Sequence, residues 1–374
     1  MRSSMAADRR MGGPESLRKS PVLPLTVARA GDRSARAVRV FQGLVVLALA
    51  VAVLSLGTGA AGLPLGRIVT ALWSGDGLAP RDRVILLDIR LPRLDMGMAV
   101  GAALAVCGAL MQGVFRNPLA DPGIVGVGAG AGLGAVLAIV LGGLLPAGLV
   151  AVLGRHLVPL AAFAGGWMST LVLVRIATRG GQTSVAALLL AGIALGAMAG
   201  ALTGILIYLA DDTQLRNLTF WGMGSVAGAS WGKLAVALPL IVPVVVLAPL
   251  LARGLNALAL GEAQARHLGI EVQRVKHLAV LAVAAAAGAS VALAGGIGFV
   301  GIVVPHLLRL VSGPDHRWLL PNAALLGGTL LVGADMIART LVAPAELPIG
   351  IVTAILGAPV FLWILLQRRN GGGM

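Results

Sequence analysis

One cysteine, one tyrosine, 3% aromatic residues and 12% charged residues set this 374-residue chain apart by what it is short of. The lone Cys107 excludes an intrachain disulfide and sits in an apolar run, where it reads as a small packed side chain. With so few aromatics there is little for bases to stack on, so the net charge of +14 does not point to nucleic acid. A soluble domain is roughly 25% charged. This chain has half that, with 58% hydrophobic residues and a mean hydropathy of +0.94, which excludes an ordinary water-soluble fold.

Catalytic and metal-binding patterns are missing too. Gly228–Leu234 resembles a phosphate-binding loop only superficially, with the wrong spacing and no Ser/Thr after Lys233. There is no H-E-x-x-H and no Cys/His cluster. Of the five histidines (156, 267, 277, 306 and 316), only His306 lies inside an apolar run, where it reads as an interhelical hydrogen-bond partner. The GVGAGA at 126–131 fits a dinucleotide fingerprint in letters, but no soluble strand precedes it, so its glycines read as helix packing. Ionisable groups, which an ion-coupled carrier needs near the bilayer midplane, are scarce as well. The nearest candidate is Asp335, four residues before Arg339, which reads as an interfacial i,i+4 pair at a span's end. The chain reads as a non-catalytic conduit with no permanent cofactor and no metal, driven by something attached to it.

What is present is apolar length. Runs at 41–60, 94–114, 122–145, 157–176, 185–209, 234–252, 278–296, 298–311, 319–338 and 347–366 predict an all-α polytopic membrane protein with ten transmembrane helices. The eighth, GFVGIVVPHLLRL, is short and carries Pro305. Ten spans place both termini on one side, with 20 Lys/Arg on that side and 9 on the other, so both are expected in the cytoplasm. Residues 1–40, with nine Lys/Arg against three acids, read as a disordered cytoplasmic tail, and 41–369 as the membrane domain. The stretch Arg90–Gly134 organises the rest. It is a hairpin with arginines at its start and a polar, proline-kinked turn, Arg116–Pro118 and Asp121–Gly123, on its far side. The loop 61–92 includes an amphipathic piece, Leu65–Trp73, suited to an interface. The loop 253–277 holds two helical patches, Leu255–His267 and Glu271–His277, and reads as either a solvated connector or a docking surface for a cytoplasmic partner.

Several stretches together resemble the FecCD-type permeases, the membrane subunits of type II ABC importers for iron–siderophores, haem and cobalamin. They are RLPR at 90–93, GALMQGVFRNPLADPGIVGV at 108–127, LLLAGIALG at 188–196 and FWGMGS at 220–225. GGIGFVGIVVPHLLRL at 295–310, Asp315-His316-Arg317 and AELPIGIVTAILGAPVFLWIL at 345–365 complete the set. The resemblance covers about 40–369 and implies the ten-helix permease fold with two halves of inverted topology. It implies that Arg90, Arg93 and Arg339 are exposed and receive glutamates of a periplasmic substrate-binding protein. It implies a cytoplasmic gate at Asn117, Leu119, Thr183 and Ser184, and a pore lined by the fifth and tenth spans at a homodimer axis. The 253–277 loop, through Leu260, Gly261, Glu262, Ala265, Leu268 and Gly269, would dock two ATPase subunits that bind the ATP. Resemblance around Tyr208–Asp212 and Leu218–Trp221 is greatest to the haem-transporting branch, ahead of ferric siderophores and cobalamin. The expected protein is a multi-pass subunit of the bacterial inner membrane.

Overall fold

The computed structural model describes residues 33–59, 62–74 and 78–370; the tail up to residue 32 lies outside the described residues. Each of the ten apolar runs folds as helix, since a backbone in hydrocarbon must hydrogen-bond within its own segment. The long ones are α1 (Ser34–Gly57), α4 (Leu91–Phe115), α5 (Val127–Leu141), α7 (Leu157–Ala177), α8 (Val185–Leu209), α10 (Trp231–Leu247), α13 (Val272–Ala294), α15 (His316–Thr340) and α16 (Ile349–Asn370). Between them lie the shorter α2 (Leu65–Ser74), α3 (Pro80–Val84), α6 (Ala147–Leu153), α9 (Asp212–Gly222), α11 (Ala252–Ala259), α12 (Glu262–His267) and α14 (Val300–Ser312). A two-residue hairpin, β1 (Thr178–Arg179) with β2 (Gln182–Thr183), joins α7 to α8.

Among the described residues, eight helices are long and apolar enough to cross a membrane; Val300–Ser312 and Ile349–Trp363 are shorter. Thirteen residues of α14 reach only about 20 Å. Its shortness has a visible cause. After α13 ends, residues 295–299 run without helix, and α14 starts beside Gly108, past the middle of α4: a Cβ on Gly108 would lie 1.8 Å from the Gly301 carbonyl oxygen. The eighth run is therefore a half-length helix that begins inside the bundle.

Two boundaries differ from the sequence reading. Helix α1 starts at Ser34, inside the stretch assigned to the tail, and its Ala37 carbonyl accepts from Asn322 of α15 at 3.4 Å. Residues 80–90, taken as loop, are helical: α3 passes through a π turn (Ile85–Arg90) into α4. Ile85 gives that segment an apolar face to bury, against Leu63 and Ile68 of the amphipathic α2 region.

Glycine decides which helices touch most closely. Gly101 of α4 faces Gly327 of α15 so tightly that a Cβ on either would lie within 2.4 Å of the other's carbonyl oxygen. Gly130, from the GVGAGA run, meets Gly165 of α7 the same way. Without a hydrophobic drive between helices in lipid, such backbone approach supplies the packing energy.

Candidate functional site

The buried charged side chains of the bundle gather at its two ends. At the α2 end, α4 and α15 run antiparallel and bring together residues 242 positions apart. Arg93 grips Asp335 through Nε and Nη2, at 2.8–3.0 Å, and its Nη1 donates to Glu346 Oε1 at 2.8 Å. Arg339 donates from Nη2 to the Ser55 carbonyl at 2.9 Å and to Ser55 Oγ at 2.7 Å. Arg90 donates to the carbonyls of Leu56 and Leu63. Three guanidiniums thus face two carboxylates. A cavity of about 200 Å³ opens among Thr58, Gly59, Arg90, Arg93, Arg339 and Glu346. Arg90 Nη2 and Arg339 Nε are buried there without a hydrogen-bond partner.

This cluster corrects one expectation. The arginines are not exposed in the single chain: Arg90, Arg93 and Arg339 are 4%, 8% and 6% accessible. The expected i,i+4 pair of Asp335 and Arg339 is present at 3.5 Å, within a wider cluster in which buried Asp335 accepts its shortest bonds from Arg93. A charge taken out of water binds whichever partner offers fork geometry, and Arg93 offers it.

At the opposite end, the turn after α4 is closed by local bonds. Arg116 takes a left-handed conformation (φ 49°), Asn117 Oδ1 accepts from the Leu119 amide at 3.0 Å, and Asp121 Oδ1 accepts from the Gly123 amide at 2.7 Å. Asn117 is exposed and Leu119 half-buried. Thr183 is buried on β2, and exposed Ser184 caps α8 by accepting from the Ala187 amide at 3.3 Å. The 3-10 turn Pro122–Val125 and β2 both pack against α13, so that helix links the two turns.

The 253–277 segment is also at this end. Its first expected patch is broken in two: α11 and α12 are separated at Leu260–Gly261, where Gly261 adopts φ +115°. Ala265 is fully buried and pins α12 down, while Leu260 and Leu268 are 66% and 58% exposed. Glu262 is half-buried and Gly269 exposed at φ +76°. Asn256 of α11 bonds Asp315 Oδ1 at 2.7 Å and His316 at 2.8–3.0 Å, tying the segment to α15. Burial would raise the Asp315 carboxyl, but hydrogen bonds from Arg317 and Asn256 outweigh it and hold it at about 2. Sequence reasoning missed Glu346, Lys276 and Gln273 as partners at these ends; Glu346 stands alone beside an apolar run, Gln273 and Lys276 sit among other polar residues at 271–277, and nothing in the letters says what each meets. No group of three or more potential metal ligands occurs among the described residues.

A bundle of close-packed apolar helices, with a buried ionic cluster at one end and short amphipathic helices at the other, is a membrane transport subunit. The chain belongs to the FecCD transport family, which matches residues 47–367, and is a permease subunit of an ABC importer. It is 50% identical over 286 residues to the hemin transport system permease protein HmuU of Yersinia pestis, covering 76% of this chain and 84% of that one. To the vitamin B12 import system permease protein BtuC it is 46% identical in Escherichia coli O9:H4 (79% and 88% covered) and 42% identical in Klebsiella pneumoniae (93% and 99%). A solved metal-chelate type ABC transporter in an inward-facing conformation superposes with a TM-score of 0.77 at 31% identity, over 88% of this chain and 99% of that one.

Proposed function

We propose that two copies of this chain form the pathway of an ATP-driven haem importer in a bacterial inner membrane, with both termini in the cytoplasm. A soluble binding protein delivers the ligand at the α2 end. Two ATPase subunits dock at the α11 end, where Leu260 and Leu268 offer exposed apolar side chains. Alternating access then moves the ligand past Asn117, Leu119, Thr183 and Ser184. The observation that carries the reading is the arginine cavity: a buried Arg90 Nη2 without a partner is a donor awaiting a carboxylate. Chemistry on ATP belongs to the partner subunits.

Haem as cargo rests on similarity to the hemin permease. The B12 permeases, similar over more of the chain, favour a second reading, the same machine carrying a corrinoid. Capture of the cognate binding protein and an absorption spectrum of its ligand separates them. A Soret band supports haem; a corrinoid spectrum overturns it. A ferric siderophore would show neither. In liposomes holding the chain without an ATPase, uptake driven by a pH gradient would replace the importer reading with a stand-alone carrier.

A further inference from the structure

Lys276 is 2% exposed, an extreme burial for an ammonium, and it touches two separate elements. Its Nζ lies 2.7 Å from Glu262 Oε1 on α12 and donates to the Thr183 carbonyl on β2 at 3.0 Å. Thr183 is held by its other polar groups as well. Its amide donates to Gln273 Oε1 at 2.8 Å, and its Oγ1 lies 2.7 Å from His277 Nε2 and 2.8 Å from Thr178 Oγ1. Gln273, Lys276 and His277 occupy positions i, i+3 and i+4, one face of the first turns of α13. Only Lys276 among these three also reaches α12. Glu262 has one further cation nearby, Arg266 at 3.7 Å and exposed.

We propose that Lys276 is the positioning residue that carries displacement of α12 to the β1–β2 hairpin and so to the start of α8. This rests on the reading of 253–277 as the ATPase-docking segment. An ammonium buried between a carboxylate and a carbonyl cannot leave either without a large desolvation cost. The two contacts therefore persist when α12 shifts, and the hairpin follows it. A partner pressing on exposed Leu260 and Leu268 would move Thr183 and Ser184 without touching them.

The test uses the full complex of permease and ATPase subunits in lipid nanodiscs. The reporter is Q182C, on the exposed part of β2; the native Cys107 is buried and silent to maleimide. In the otherwise unchanged chain, the maleimide labelling rate should differ between the nucleotide-free complex and the complex trapped with ATP and vanadate. K276M, and independently the milder K276Q, should abolish that difference while the ATPase still co-purifies and hydrolyses ATP. K276R, which keeps a cation able both to pair with Glu262 and to donate to the Thr183 carbonyl, should retain it. A nucleotide-dependent difference that survives in K276M or K276Q overturns the relay. If K276R abolishes it as well, the cationic bridge is refuted as the link. If the unchanged chain itself shows no difference, or its ATPase does not co-purify, the docking assignment falls and the relay with it.

Discussion

Arg93→Ala should be among the most damaging single changes to this protein's stability, whether or not a binding protein is present. The substitution strips three bonds of 2.8–3.0 Å from Asp335, whose side chain is 5% exposed, and leaves Arg339 at 3.5 Å as its nearest cation. At 2.8 Å and an effective dielectric of about 20, the direct attraction is ~6 kcal/mol, offset by desolvation of both ions. Removing one partner of such a pair costs ~3–5 kcal/mol, because the remaining charge stays buried. Replacing both with apolar residues, as in R93M/D335L, should recover part of that loss: Glu346 is 39% exposed and can turn to water, while buried Arg339 loses its carboxylate at 3.5 Å. The protein carries its own reporter: Cys107, fully buried on α4, becomes reactive to a thiol dye only on unfolding. Equilibrium unfolding in mixed micelles of rising SDS content, read by Cys107 labelling, gives the free energies. If R93A loses less than ~1 kcal/mol, or if the double variant is as weak as the single one, the buried-pair reasoning is wrong.

Arg90→Glu tests docking more cleanly than a change at Arg93, because Arg90 bonds only to carbonyls. It should weaken association with the binding protein and remove its stimulation of ATP hydrolysis; unchanged stimulation in an ATPase assay would refute that role. Gly101→Ala should cost ~1–3 kcal/mol or prevent assembly, because its Cβ would meet the Gly327 carbonyl oxygen at 2.3 Å, whereas Gly333→Ala, with nothing within 4 Å, should be near neutral. Equal yields and unfolding midpoints of the two would show that α4 and α15 are not in backbone contact. Asp315→Ala should lose about 1 kcal/mol, the worth of an N-cap, in thermal unfolding of the purified protein. Because the folded-state pKa is depressed to about 2, the carboxylate's contribution is full above its unfolded pKa and fades only as pH falls through about 2. A deficit that already disappears on going from about pH 7 to pH 5 would contradict the assignment.

The helices were legible because membrane-spanning backbone leaves no choice of structure. Runs such as 157–176 and 185–209 could be placed from hydropathy alone. Depth was not legible: nothing in GFVGIVVPHLLRL says that α14 starts beside Gly108, since that follows from a glycine contact between segments 193 positions apart. The arginines were legible as a group and misread as exposed, because the partner of Arg93 lies on another helix and Glu346 arrives from a loop. Lys276 looked like one more loop cation, and its burial depends on Glu262 and Thr183 meeting from two directions. In each case the residue type was informative, and what it touches was set by tertiary approach.

The Gly101–Gly327 contact has a mechanical corollary. Two backbones in direct touch have no side chain between them to rotate or compress, so there is no slack in the joint. With Arg93 clamped to Asp335 along the same pair of helices, α4 and α15 form one stator against which other parts turn. Arg93 and Arg339 ride on that stator, so their spacing is set by the contact between the two helices. On the docking proposed above, a carrier seated on them would feel an unchanging grip, and a signal to let go would have to arrive through neighbouring loops such as the one bearing Glu346.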